Sequence, residues 1–321
     1  MNVIFFLNLR LMYHYWGFGL TIESEIEFPE LLPFKFEKAE ITIRLGKTPE
    51  QLNGDDVIEK VRVFISPAEY LLKVLNIANY YAANGTEIII EPLPGADEKS
   101  VRLFMLSNAM AAILHQRNMI PLHASAIHHQ DGVVLFCGRS GAGKSTTATA
   151  LQKQGYKVFS DDVCVLKEID GELMVLPSYP MMKLWEDSFA KVGMEMAGEE
   201  DKIRPHLPKY ARWYHAEFSI DPMPVKQIFI IDPSNQAAEI SIKKTGAIEA
   251  FQELQKNTYR PVQTSTMKKR DIHFMMVSRL AGSAPVAKVT RPQHGNSIEE
   301  LTRYIQSVLK EEGIKEAAGA V

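Results

Sequence analysis

Gly138-Arg139-Ser140-Gly141-Ala142-Gly143-Lys144-Ser145 decides how the rest of the chain is read. The octapeptide matches the phosphate-loop pattern G-x-x-x-x-G-K-[ST] at every fixed position, and its surroundings suit it. Ahead of it, Val133-Val134-Leu135-Phe136-Cys137 reads as a buried strand. After it, a helix runs to Gln154, stops at Gly155 and is followed by a strand over Tyr156 to Ser160. Strand, glycine-rich turn and helix aim successive N–H groups and a positive helix end at one point. A nucleotide phosphate there would meet Gly138, Ser140, Gly141, Ala142, Gly143, Lys144, Ser145 and Thr146. Lys144 would reach the β- and γ-phosphates, and the Ser145 hydroxyl would help to hold Mg²⁺.

A phosphate loop implies a nucleotide without naming the reaction, so the carboxylates around it matter. Asp161-Asp162 follow the strand that succeeds the loop helix, and consecutive elements are usually neighbours. One carboxylate could contact Mg²⁺ while the other accepts a proton from an incoming hydroxyl. Asp232 competes, because Ile228-Phe229-Ile230-Ile231 before it is a hydrophobic strand like that of motor and transport ATPases. Asp232-Pro233-Ser234-Asn235, however, reads as a turn opener with no second carboxylate beside it.

Outward from this unit the chain divides. Residues 1–118 read as a smaller β-rich domain ending in a bridging helix, and 119–321 as the nucleotide domain. Alternation over Leu20 to Phe28, Ile41-Ile43-Leu45 and Val61-Val63-Ile65, with Glu87 to Ile90, predicts half-buried strands. Tyr70 to Ala83 is too densely apolar for the period to separate a helix from two strands. Val101, Met105, Ala109, Ala112 and His115 recur at helical spacing and predict one long helix over about 100–117. Further strands are expected at Val163–Leu166, Leu173–Leu176 and Gln227–Ile231, and helices at Ala247–Gln255 and Ile298–Lys310. The stripe Ile298, Leu301, Ile305, Val308 on the last helix suits a core or an interface equally. The fold class expected is α/β.

Composition narrows the partners. The 321 residues are 46% hydrophobic and 23% charged with a net charge of −3, which lacks the basic footprint of a general nucleic-acid binder. No apolar run reaches the ~18–20 residues of a membrane span. Met1 to Leu7 is apolar, but no basic residue precedes it and Arg10 cuts it short, so an ordinary strand or start-site extension is expected rather than a signal peptide. The two cysteines, Cys137 and Cys164, lie in apolar runs, as buried thiols of a reduced cytoplasmic protein would. His128-His129 lack metal-ligand spacing and read as an exposed turn.

Leu122-His123-Ala124-Ser125-Ala126-Ile127, the glycine-rich loop and Ser160-Asp161-Asp162 together resemble the catalytic domain of HPr serine kinase/phosphorylase. That is a compact phosphate-loop fold related to phosphoenolpyruvate carboxykinase. The spacings agree: His123 lies 15 residues before Gly138, and Asp161 lies 17 after Lys144. Gly19 to Ile26, Phe28-Pro29-Glu30-Leu31 and His115-Gln116-Arg117 are similar to the shorter HPr-kinase-like proteins encoded beside peptide-modification genes. Those include kinases of the carboxy-terminal serine of lasso-peptide precursors.

The resemblance implies an ATP- and Mg²⁺-dependent serine kinase acting on a peptide or small protein. It makes Asp161 the base and Asp162 the Mg²⁺ contact, though the two could be exchanged. It sets His123 beside the γ-phosphate, orienting an aspartate or stabilising charge, with Lys144 completing the catalytic set. It also implies assembly into a homo-oligomer, and no membrane or nucleic-acid partner. The chain has no counterpart of the family's Glu-Ile-Arg-Gly segment, so phosphorolysis and HPr as acceptor do not carry over. In that region Asp201 to Arg212 is basic and broken by proline, which suits a loop over the triphosphate with Arg204 and Lys209 as phosphate contacts. The alternatives are a nucleotide-responsive regulatory or assembly protein, or slow ATPase, without peptide phosphotransfer, and a small-molecule kinase.

Overall fold

The computed structural model describes residues 11–319, with side chains as far as Lys310. The apolar stretch Met1 to Leu7 lies outside the described residues. The chain is a mixed α/β protein in which a large amino-terminal sheet packs beside an α/β/α layer structure.

Among the described residues the first sheet has nine strands, and its centre runs Leu20–Ser24, Ile41–Leu45, Glu87–Pro92, Ala78–Ala83. Leu20, Ile22, Ile41, Ile43, Ile88 and Ile90 are fully buried, as period-two alternation requires. The first strand stops at Ser24 rather than reaching Phe28. The Ser24 hydroxyl accepts from the Ile26 N–H at 3.0 Å and closes a local turn that competes with the ladder. Val61 is likewise not in a strand: it sits 88% exposed in the hairpin between Ile58–Lys60 and Val63–Ile65, beside Arg62 in the left-handed region. The ambiguous stretch Tyr70 to Ala83 resolves into the antiparallel strands Glu69–Val74 and Ala78–Ala83, joined through Asn76 at φ 58°. Asn tolerates that conformation better than most residues, and it ends the possibility of a helix there.

The bridging helix begins at Glu98, where Asp97 accepts the Ser100 N–H at 2.7 Å, and continues to Gln116. Its five predicted face residues are all buried. Met105–Ala109 widen into a π-turn, and side chains from far along the chain bond the carbonyls there. Arg260 Nε donates to Ser107 O and Gln263 Nε2 to Asn108 O, both at 3.2 Å. Packing is continuous past residue 118: one apolar cluster joins Leu20, Ile43 and Met105 to Val165, Leu176 and Met181.

The second sheet has the order Val158–Ser160, Ala124–His129, Gly132–Cys137, Val225–Ser234, Val286–Pro292, Ser241–Lys244. The three central strands from Gly132–Cys137 to Val286–Pro292 are parallel, and their middle residues are apolar and buried because both faces are covered there. Leu135 and Cys137 face Leu254 and Val277 of the helices Ala247–Lys256 and Arg270–Ser283. Val134 and Phe136 face Leu151 of the loop helix Lys144–Lys153 and Ile298, Leu301 and Ile305 of the last helix, Ile298–Gly319. The stripe on that helix thus lies in the core of the chain. Cys137 and Cys164 are buried free thiols. His128 is at a strand end with its ring edge-on to Phe159 at 5.2 Å, not in an exposed turn. Among the described residues, no helix is long and apolar enough to cross a membrane.

His115 is fully buried on the bridging helix, with Nε2 3.3 Å from the Tyr259 carbonyl and Nδ1 without a partner. Burial lowers its pKa to about 4, so between about pH 6.5 and 4 the unfolded chain binds a proton that the native chain refuses. Stability therefore falls as pH falls through that window. Urea unfolding of wild type and His115→Gln is expected to show a difference in stability that shifts by roughly 2–3 kcal/mol in favour of the variant between pH 7 and 4.5. A pH-independent difference would show that His115 takes up its proton in the native state.

Candidate active site

Gly138 to Ser145 connects the central strand to the loop helix, and each glycine has a separate task. Gly138 has φ 148°, and a Cβ there would lie 2.4 Å from the Ile231 carbonyl of the neighbouring strand. Its N–H donates to Asn257 Oδ1 at 2.6 Å. Gly143, at φ 102°, turns the chain into the helix. Arg291, from the parallel strand next but one, clamps the loop by donating Nε and Nη2 to the Ala142 carbonyl at 3.1 and 2.9 Å. The buried Lys144 ammonium donates to the carbonyls of Gly138 at 2.8 Å and Arg139 at 3.2 Å. Burial lowers its pKa, against the pull of Asp162. Thr146 bonds Ser188 at 2.9 Å, while Ser145 opens the helix facing the same cleft.

The two adjacent aspartates point in different directions. Asp161 continues the strand inward and is fully buried; Oδ1 accepts the Ser125 hydroxyl at 2.6 Å and Oδ2 the Lys183 N–H at 2.9 Å. It does not face the loop, which corrects its expected place as the base. Asp162 adopts φ 68°, and its side chain lies in the cleft lined by Ser140, Lys144, Ser145 and His123. Lys183 Nζ donates to Asp162 Oδ2 at 2.7 Å. Burial would raise the Asp162 pKa, but Lys183, Lys209 and His123 outweigh it and hold the carboxyl well below the usual range. Burial would likewise lower the Lys183 pKa, and Asp162 reverses that. The pair stays ionic.

His123 Nδ1 lies 3.0 Å from the Asp162 carbonyl and 3.5 Å from Oδ1. Burial, reinforced by Lys144 and Lys209, lowers its pKa against Asp162, so the ring is neutral at pH 7. Facing two acceptors, Nδ1 must carry the proton, and the ring then pins the Asp162 segment rather than offering positive charge. The main-chain N–H of His123 donates to the Asn257 carbonyl at 2.7 Å, so Asn257 holds both His123 and Gly138.

Of the two basic residues expected over the triphosphate, the structure brings only Lys209 to the cleft, with Nζ 5.6 Å from the Trp185 ring centre. Arg204 is carried away, its guanidinium 5.6 Å over Phe104 of the bridging helix. The cause is the path of its segment: Lys99 Nζ holds the Lys202 carbonyl at 3.1 Å, and the Ile203 N–H donates to the Lys209 carbonyl. Asp232 is also elsewhere. Its strand runs on to Ser234 instead of turning, and its carboxylate pairs with Lys288 at 2.9 Å.

Three residues of this arrangement escaped the sequence reading: Lys183, Arg291 and Asn257. Lys183 had a visible signal, a lone ammonium in the apolar run Met181-Met182-Lys183-Leu184-Trp185 that can be buried only with a carboxylate partner. Arg291 and Asn257 had none, because each acts through a backbone contact made across more than 100 residues.

A hard cation would find few protein donors here. Among the described residues no group of three His, Cys, Asp or Glu side chains could hold a metal by itself. The Ser145 hydroxyl and the Asp162 carboxylate do share the cleft. That set fits Mg²⁺ accompanied by phosphate oxygens and water, not a self-sufficient metal centre.

The chain matches no protein-family model and no curated protein sequence. Among solved structures it shows a likeness to the Hpr(Ser) kinase/phosphatase from Coxiella burnetii at 13% identity, covering 62% of this chain and 96% of that chain with a TM-score of 0.31.

Proposed function

We propose that the chain is an ATP- and Mg²⁺-dependent kinase that transfers the γ-phosphoryl group to a serine hydroxyl of a peptide or small protein. One observation carries the reading: a carboxylate held ionised by Lys183 and aimed by His123 faces a glycine-rich loop at a helix N-terminus. Phosphoryl transfer needs little covalent chemistry; it needs an aligned hydroxyl, an acceptor for its proton and positive charge around the phosphate. The loop amides and Lys144 would bind the β- and γ-phosphates, with Lys144 leaving the loop carbonyls to do so. Past Thr146 and Trp185 the cleft opens into a hollow of about 270 Å³ reached by Arg291 and Asn296, which has room for the nucleoside.

Asp162 Oδ2 is committed to Lys183, so Oδ1 is the atom assigned to the acceptor hydroxyl. A carboxylate of such low basicity orients the hydroxyl and takes its proton late, as bonding to phosphorus develops. Mg²⁺, when bound through Ser145 and the phosphate oxygens, supplies charge neutralisation between the β- and γ-phosphates. The regulatory or slow-ATPase alternative would be favoured by Asp232 as the metal ligand, and that carboxylate pairs with Lys288.

The test is mass spectrometry of serine-containing peptides after incubation with the chain, ATP and Mg²⁺. A gain of one phosphate on serine is the expected result. ATP hydrolysis unaffected by every peptide, with no phosphopeptide formed, would sink the proposal.

A further inference from the structure

A second pocket, of about 170 Å³, opens where the Pro29-Glu30 turn, the bridging helix, the segment Glu200 to Ile203 and the hairpin of Met181–Trp185 with Lys209–Trp213 meet. Its surface is mostly apolar, from Leu103, Leu106, Met181, Ile203, Ala211 and Trp213. A cavity of ~150 Å³ lined by aliphatic and aromatic groups is large enough for a benzene ring. Of the charged groups around it, Glu200 and Asp201 stand without an ion-pair partner among the described residues and the others are matched. Arg102 pairs with Glu30 at 2.9 Å, Lys202 with Glu199 at 2.7 Å, and Lys99 is spent on main-chain carbonyls. The pocket therefore offers mainly apolar surface, with the Glu200 and Asp201 carboxylates beside it.

The hairpin connects this pocket to the cleft. Side chains at alternate positions share a face, so Met181, Lys183 and Trp185 line up, opposite Trp213, Ala211 and Lys209. Trp185 and Lys209 border the cleft, Met181 and Trp213 border the pocket, and Lys183 borders both. From Lys183, which grips Asp162, to Met181 is one two-residue step of about 7 Å. An extended peptide has the same repeat. A hydroxyl presented to Asp162 thus lies beside the strand whose other end borders the pocket.

We propose that this pocket receives an apolar side chain of the acceptor peptide, two residues from the serine that is phosphorylated. The inference rests on the phosphotransfer reading above and specifies its substrate class: serine peptides with an aliphatic or aromatic residue at that spacing. It also gives the amino-terminal part of the chain a task, since Leu103 and Leu106 of the bridging helix form one wall.

The experiment uses the full chain, ATP, Mg²⁺ and synthetic octapeptides with one serine in an alanine background. Phe, Leu, Asp or Lys is placed singly at each of three positions on either side. Phe and Leu two residues from serine, on one side only, are expected to raise kcat/KM on the order of tenfold over alanine, as burying one such side chain should. Asp and Lys should give no gain. Ala211→Leu, which fills the pocket, should erase the preference, and Leu103→Ala, which enlarges it, should shift the Phe-to-Leu ratio toward Phe. Equal kcat/KM for all phosphorylated peptides, an apolar preference at another spacing, or a preference untouched in both variants overturns the inference while leaving the kinase reading intact. No phosphate on any peptide, with fluorescent ATP still bound, overturns the kinase reading and the inference with it.

Discussion

Asp162→Asn is expected to slow phosphoryl transfer about a thousandfold, the middle of the range for removing a positioned proton acceptor. The amide keeps an oxygen for Lys183 Nζ but leaves that buried ammonium without a counter-charge, so stability should fall by on the order of a few kcal/mol. The loss in rate should fall on kcat, with the ATP concentration for half-maximal rate little changed. The Mg²⁺ requirement separates the two roles open to this carboxylate. An unchanged requirement fits assignment of Oδ1 to the hydroxyl, whereas a tenfold rise would make Asp162 the metal ligand instead. Asp161→Ala should behave differently. It strips partners from the buried Ser125 hydroxyl and Lys183 N–H, so its main effect should be a loss of roughly 2–3 kcal/mol in stability, read by denaturant titration. If Asp161→Ala matched Asp162→Asn in kcat at unchanged stability, the assignment of the two aspartates would be reversed.

Lys183→Met should be the most destabilising substitution in the cleft. It leaves the mostly buried Asp162 carboxylate without its 2.7 Å partner, and breaking such a pair from one side costs about 3–5 kcal/mol. The pH dependence gives a second readout. Asp162 is depressed in the native state, so its contribution is present above the unfolded pKa, about 3.9, and is lost as pH falls below it. In Lys183→Met that acid-side loss should shrink, because the carboxyl then protonates at a higher pH. The double variant with Asp162→Asn should recover much of the stability, since no charge is left unpaired. Recovery by less than the single-variant difference would show that Lys183 stabilises through its stem and the Tyr179 ring, 5.6 Å from Nζ, rather than through the pair.

How far the site was legible follows from the range of the interactions. The loop residues Gly138, Gly143 and Lys144 were readable because their geometry is local, set by what φ a residue tolerates and by the strand and helix on either side. The helix over Val101 to His115 was readable because burial repeats with helical period. Val61 and the stretch Ser24 to Phe28 misled because alternation continued past points where a turn had ended the strand. Asp161 and Asp162 are chemically identical neighbours, and which of them faces the core and which the cleft leaves no mark in residue type.

The sequence alone thus determined the α/β character, the loop and the pair of carboxylates within reach of it, because those depend on residue type and short-range spacing. Only the tertiary structure decided that Asp162 and not Asp161 faces the loop, that Lys183 charges it and Arg291 braces it, and that Arg204 and Asp232 serve elsewhere. Each of those outcomes depends on where a distant strand or helix comes to rest, and a buried charge declares its partner only once the chain has closed around it.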